Sequence, residues 1–252
     1  MSASDQSVIH SEFNELAVFE KRHSDNFADE EDLKLIEPYL IPEGHRMKAA
    51  LDAIFSKGGV LKSPEAMKTA GFKLLLYRTG RGLVVAKHPL LKNYLVKTYL
   101  DSATHVDWTS WVRRAKGARL VQACIDAKPR SAQYTKVPQK WIYHIPLEAR
   151  GKIKDGNLPR EFLLLVEDMR LVSKEKNEEL YKTFFSEKSL QALYYVVNKS
   201  GYSDCHIGNL PFSTDGKIAF IDTEYTNIWP VHPQWLTKWF SPKRQVYWEK
   251  LF

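Results

Sequence analysis

One stretch constrains this chain more than any other: residues 201–225, GYSDCHIGNLPFSTDGKIAFIDTEY. It holds two dense polar runs, Ser203-Asp204-Cys205-His206-Ile207-Gly208-Asn209 and Asp222-Thr223-Glu224. Between them, Ser213-Thr214-Asp215-Gly216 is a strong hairpin signal, because Asp-Gly tolerates the left-handed backbone of a tight turn. Residues 210–212 and 217–221 therefore read as two short strands of one ribbon. Such a ribbon lets Asp204, Asn209 and Asp222 face one pocket. Two carboxylates and an amide are what phosphoryl transfer from a magnesium nucleotide requires: one acid for the acceptor hydroxyl, an amide oxygen and a second acid for the metal. The same residues also suit a purely structural part, with Asp204 and Asn209 capping their own loop and Asp222 capping a following turn.

A chain of 252 residues can bury a substantial core and suits one domain of two lobes, or one domain with an extension. Its two cysteines, Cys124 and Cys205, form no close pair. They argue against a disulfide framework and a zinc site, and for a reducing, cytoplasmic setting. No apolar run reaches membrane-spanning length and the start of the chain lacks the shape of a signal peptide, so no membrane association is expected. The net charge of +7 is uneven: residues 1–40 carry ten acids and three bases, a net of −7, which leaves +14 on the remainder. A basic body favours anionic ligands such as nucleotides.

Taken in order, residues 1–42 read as an acidic arm with short helical pieces at 12–19 and 30–37, a linker at 23–31, and a surface that suits a protein partner. A break at Pro42-Glu43-Gly44-His45 precedes a helix with Met47, Leu51, Ile54 and Phe55 on one stripe. Ser63-Pro64 opens a second helix. Residues 72–77, 83–86 and 94–99 then form three strands in series, an antiparallel meander. The turn between the first two holds Gly80 and Gly82. Alternation places Leu95, Lys97 and Tyr99 on one face of the third strand, and a lysine facing inwards needs an anion. A helix from Asp107 to about residue 127 carries the basic cluster Arg113, Arg114, Lys116 and Arg119. Residues 128–140 read as a polar connection, 141–146 and 161–166 as strands, and 151–160 as a charged loop. Residues 173–184 are amphipathic. Residues 186–198 form a stronger helix capped by Ser186, with Leu190, Leu193, Tyr194 and Val197 as its buried stripe. After Asp222 the chain is rich in Trp and Pro, and those aromatics read mainly as core and cover.

Asp204-Cys205-His206-Ile207-Gly208-Asn209, followed thirteen residues later by Asp222, resembles the catalytic loop and metal-binding acid of the protein-kinase-like superfamily, in particular the aminoglycoside and choline phosphotransferase branch. The lead-in is Tyr202-Ser203 where that branch has His-Gly. The resemblance covers roughly residues 72–225. It implies an α+β, two-lobed fold with a small antiparallel N-lobe sheet and a shortened, mainly helical C-lobe. Residues 1–42 would be the arm, 43–166 the N-lobe with its preceding helices, and 167–252 the C-lobe.

The resemblance also implies roles. Asp204 would serve as catalytic acid–base or orienting group, and Asn209 and Asp222 as magnesium ligands. Lys97 would hold the ATP phosphates, with Lys87 or Lys92 as fallbacks. Gly80 and Gly82 would form a degenerate phosphate loop. Val166, Glu167 and Met169 would line a hinge that receives the adenine through its backbone, although Met169 serves the core equally well. His206 would support the loop, and Glu224 would bind a second metal or the acceptor. The implied cofactors are ATP and Mg2+, and the short C-lobe favours a non-peptide acceptor. One departure stands out: no Glu occurs between Leu100 and Leu147, where the family's helix donates a partner for the lysine. A pseudokinase, a nucleotide-binding scaffold without turnover, is therefore the second expectation. A basic nucleic-acid-binding domain is the third, and lacks a recognised motif.

Overall fold

Side-chain caps fix where the helices begin. Ser63 accepts a hydrogen bond from the Ala66 amide and Pro64 supplies the first helical residue of Pro64–Thr69, satisfying one orphan amide and dispensing with another. His45 caps Arg46–Phe55 through the Met47 amide, and Ser173 caps Lys174–Thr183 through that of Lys176. Ser186 and Ser189 form a reciprocal capping box on Glu187–Ser200. The computed structural model describes residues 28, 30–103, 108–150 and 160–252. The predicted elements at 1–19, the linker up to residue 27, the Asp107 helix start and the loop 151–159 lie outside the described residues.

The helices are α1 (Glu30–Ile36), α2 (Arg46–Phe55), α3 (Pro64–Thr69), α4 (Thr109–Asp126), α5 (Lys174–Thr183), α6 (Glu187–Ser200) and α7 (Pro242–Glu249). The strands are β1 (Lys73–Arg78), β2 (Leu83–Lys87), β3 (Tyr94–Tyr99), β4 (Thr135–Lys136), β5 (Lys140–His144), β6 (Phe162–Glu167) and β7 (Ile218–Ala219). The architecture is α+β. The described residues divide into two compact units: one takes those from residue 28 to Ala115 and Lys140–Asp168, the other Lys116–Gln139 and Met169–Phe252. After β6 the chain passes from the one unit to the other between Asp168 and Met169.

The first unit holds a five-stranded antiparallel sheet of order β1-β2-β3-β6-β5. The predicted meander supplies its first three strands. Met47, Leu51 and Phe55 of α2 and Met67 of α3 share one core with Val84, Val96, Leu163 and Leu165 of the sheet. Alternation decides which strand residues enter that core. In β3, Val96 and Thr98 are fully buried, whereas Leu95, Lys97 and Tyr99 occupy the opposite, half-buried face. Trp111 of α4 packs on that second face, its ring 5.3 Å from that of Tyr99.

The second unit is largely helical. Leu190, Leu193 and Val197 of α6 enter its core with Tyr181, Phe212, Phe240 and Trp248; Tyr194 is only partly buried there. The C-terminal aromatics divide. Trp248 is fully buried and donates its indole N–H to the Pro233 carbonyl at 3.0 Å, while Trp229 and Trp235 remain about half exposed. The predicted ribbon is narrower than the sequence suggests. Its turn forms as expected, with the Ser213 amide on the Lys217 carbonyl at 2.9 Å and Gly216 at φ +77°. Its two arms, however, form a single isolated bridge, Phe212–Ile218, with the Ala219 amide on the Pro211 carbonyl at 2.8 Å and the Ile221 amide on the Asn209 carbonyl at 3.0 Å. Pro211 has no N–H to extend the ladder. β7 is two residues long and pairs in parallel with β4, a strand inside the segment that reads as a polar connection. Among the described residues, no helix is long and apolar enough to cross a membrane.

Candidate functional site

Helix α6 ends on Gly201, whose φ of +58° turns the chain sharply. A β-carbon there would lie 2.8 Å from the Ile228 amide and the Trp229 ring, so this turn needs glycine twice over. Tyr202 follows, fully buried, and the Ser203 amide bonds to the Tyr225 carbonyl at 3.0 Å. The loop then folds on itself. The Asn209 amide reaches the His206 carbonyl at 2.9 Å, and the Gly208 amide donates to His206 Nδ1 at 3.1 Å. Asn177 of α5 holds both sides of the loop, donating from Nδ2 to the Ile207 carbonyl at 3.3 Å and accepting from the Phe212 amide at 2.8 Å.

The predicted polar residues meet within this unit. Asn209 Nδ2 donates to Asp204 Oδ2 at 2.7 Å and to the Asp204 carbonyl at 3.2 Å. His206 Nε2 lies 3.6 Å from the other carboxylate oxygen of Asp204. Because Nδ1 of His206 accepts from Gly208, the neutral ring carries its proton on Nε2, the nitrogen that faces Asp204. Asp222 joins the group through the backbone. The Ile221 amide donates to the Asn209 carbonyl at 3.0 Å, and the Tyr202 hydroxyl donates to the Asp222 carbonyl at 2.6 Å. Burial first, and then the Asp222 charge, push the Tyr202 phenol well above its ordinary pKa, so it stays protonated and a donor. Asp204, Asn209 and Asp222 are each half-buried, and Glu224 is buried. Cys205 is fully buried; burial, reinforced by Asp204, pushes its thiol well up, which leaves no thiolate for nucleophilic chemistry.

The remaining predicted residues fall mostly in the other unit. Lys97 lies in β3 opposite Val85 of β2 and Leu164 of β6. Lys87 forms an ion pair with Asp168 at 2.7 Å, and Lys92 is exposed. Gly82 adopts φ +61°, and a β-carbon there would come 2.6 Å from that of Ala103; Gly80 borders open space. Val166 pairs with Leu95 and Lys140, and Glu167 with Tyr94. Met169 belongs to the second unit and is buried; its carbonyl accepts from Lys136 Nζ at 3.4 Å. Arg114, read from the sequence as part of a basic cluster, is buried, with its guanidinium 5.6 Å from the Trp111 ring. That removes it from any solvated basic stripe.

Three contributors to the site carry no obvious sequence signal: Asn177, Tyr202 and Gly117. A β-carbon at Gly117 would stand 2.0 Å from the Thr223 carbonyl oxygen. Tyr202 alone had a hint, as an aromatic opening an otherwise polar run. Among the described residues, no three His, Cys, Asp or Glu side chains gather as a metal cluster; the candidate set is two carboxylates and an amide. No family model matches the chain, and no curated protein matches it.

Proposed function

We propose that this chain is an ATP- and magnesium-dependent phosphotransferase with a two-lobed, protein-kinase-like fold, acting on a hydroxyl of a non-peptide acceptor. The observation that carries this reading is the bond from Asn209 Nδ2 to Asp204 Oδ2 at 2.7 Å. It commits the amide's donor end to the candidate catalytic acid and makes the acceptor oxygen the end that suits a cation. Magnesium prefers hard oxygen ligands, and Asn209 with Asp222 offers an amide oxygen and a carboxylate on adjoining strands of backbone. Bound magnesium would neutralise charge on the transferred phosphoryl group. The chain's own residues do the rest. Asp204 accepts the acceptor hydroxyl's proton or orients that hydroxyl, and Asn209 fixes the rotation of the Asp204 carboxylate. Lys97 holds phosphate oxygens.

A pseudokinase is the second reading. It is favoured by α4, which offers arginines and no glutamate to pair with Lys97. Calorimetric titration of ATP with and without magnesium, on wild type and on Asp222→Ala, tests both. Magnesium-dependent binding that the substitution abolishes supports the nucleotide site, and turnover with an acceptor then separates enzyme from scaffold. No binding to wild type at millimolar ATP overturns the proposal.

A further inference from the structure

Strand β1 is an open edge of the five-stranded sheet. β2 pairs with it on one side, and among the described residues no strand pairs with it on the other. It runs Lys73-Leu74-Leu75-Leu76-Tyr77-Arg78, a base at each end of four apolar residues. Leu74 leans on the core of the unit, whereas Leu75, Leu76 and Tyr77 are exposed by 47%, 40% and 37%. The bases, and the register irregularity between Leu74 and Leu76, guard the edge against indiscriminate pairing. They still leave three consecutive large apolar side chains in water on that open edge. A second copy of the same edge is a poor partner, because an antiparallel pair would set Lys73 against Arg78 at both ends. A fitting partner carries acids in those places.

Glu15-Leu16-Ala17-Val18-Phe19-Glu20 of this chain is an acid at each end of four apolar residues, equal to β1 in length and opposite in charge. The segment lies outside the described residues. Its sequence reads as part of a short helical piece, but an apolar run of four suits a strand as well. Its tether is short. The Ala28 amide bonds to Glu161 Oε2 at 3.0 Å, and seven residues separate Glu20 from Ala28. Glu161 precedes β6, and the pairings Lys97–Leu164, Leu83–Tyr99 and Arg78–Leu83 put that end of β6 level with Arg78. A strand added beyond β1 stands four spacings from β6, about 19 Å, while the eight steps from Glu20 to Ala28 reach about 27 Å when extended. With Glu20 at Arg78 the tether has slack. With Glu20 at Lys73 the span grows to about 25 Å and the tether is nearly taut.

We propose that residues 15–20 add to β1 as a sixth strand, parallel to it, with Glu15 at Lys73 and Glu20 at Arg78. The added strand bonds the outward backbone groups of β1 and covers Leu75, Leu76 and Tyr77. The tether holds the segment at an effective concentration on the order of millimolar, so a weak pairing suffices.

Two measurements on the full chain test this. Glu20→Cys with Arg78→Cys should close an intramolecular disulfide under mild oxidation, since Cys124 and Cys205 are buried and do not compete. Disulfide-linked dimers would mean that the edge takes the arm of a second copy, and no link would mean that the arm does not reach it; either result overturns the proposal. Faster closure of Glu15→Cys with Arg78→Cys overturns the parallel arrangement. Hydrogen exchange reads the backbone. The outward amides of β1 should exchange about tenfold faster in Glu15→Arg/Glu20→Arg than in wild type, and adding Lys73→Glu/Arg78→Glu to that variant should restore their protection. Free exchange in wild type, which would leave the edge to an acidic peptide of another protein, overturns the proposal, as does protection that the charge reversal leaves unchanged.

Discussion

Gly117 of α4 lies against the carbonyl of Thr223, so that a β-carbon at 117 would stand 2.0 Å from that oxygen and 2.5 Å from Thr226 Oγ1. Nothing but hydrogen fits between the helix and the segment that follows Asp222. The segment has little room to retreat, since the Thr226 hydroxyl already bonds to the Thr223 carbonyl at 3.3 Å. Gly117→Ala should therefore destabilise the protein by about 1–3 kcal/mol, even though alanine is the better helix former. On the proposed reading it should also weaken magnesium-dependent ATP binding by shifting Asp222. Urea unfolding and calorimetry on one preparation check both, and a stabilised variant would contradict the packing described.

Asp204 and His206 separate under mutation. On the proposed phosphotransferase reading, Asp204→Asn keeps the shape and removes the charge, so turnover should fall at least a hundredfold, in keeping with a lost acid–base group. His206 is half exposed and holds the loop through its own ring nitrogen, so His206→Ala should cost only a fewfold in turnover and under about 1 kcal/mol in stability. Equal losses for the two variants would make His206 a participant in the chemistry.

Glu161 gives the first unit a pH dependence. Burial by itself raises its pKa, but hydrogen bonds from His144 and the Ala28 amide, with the Arg150 charge, outweigh burial and hold it below the ordinary 4.5. A carboxyl depressed in the folded state contributes stability that is fully present above the unfolded value. That contribution is lost as pH falls through the folded value. Unfolding midpoints measured from pH 6 down to pH 3 should drop more steeply below pH 4.5 for wild type than for Glu161→Gln.

Arg244 closes the end of α5. Its guanidinium donates to the Lys182 and Thr183 carbonyls, each at 2.8 Å, and to that of Phe185. The first two are carbonyls that the helix end leaves without partners. Arg244→Ala should cost about 2 kcal/mol, and Arg244→Lys should restore only part of it, because an ammonium cannot fork across three oxygens. Thermal unfolding of the three proteins decides.

Much of the fold is legible because local chemistry and tertiary packing agree. Ser63-Pro64 and Ser186 start the helices where capping rules place them, and β3 runs over the residues that its apolar alternation marks. What escapes the sequence is non-local. Thr135–Lys136 becomes a strand only because β7 arrives beside it from eighty residues away, and two residues carry no period to read. Pro211 stands in the predicted ribbon, and its missing amide is the reason the ribbon narrows. In the site, the spacing of Asp204, Asn209 and Asp222 marks the polar side chains. The residues that hold them, Asn177 from another helix and Gly117 from a third, have no pattern until the chain is folded. Arg114 shows the opposite failure: charge next to charge suggests a wet surface, yet its stem and guanidinium lie buried beside Trp111.

Asn177 has a thermodynamic consequence. One amide side chain, fixed on a helix, satisfies the loop at Ile207 and again at Phe212, so the shape of the segment between Asp204 and Leu210 is settled by the protein's own bonds. A ligand arriving there meets a surface already formed, and the entropy of ordering that segment is not subtracted from its affinity. Asn177→Ala moves that subtraction from folding to binding. Its signature would be a more favourable binding enthalpy offset by a larger entropic loss, with the heat of association changing well before the dissociation constant does.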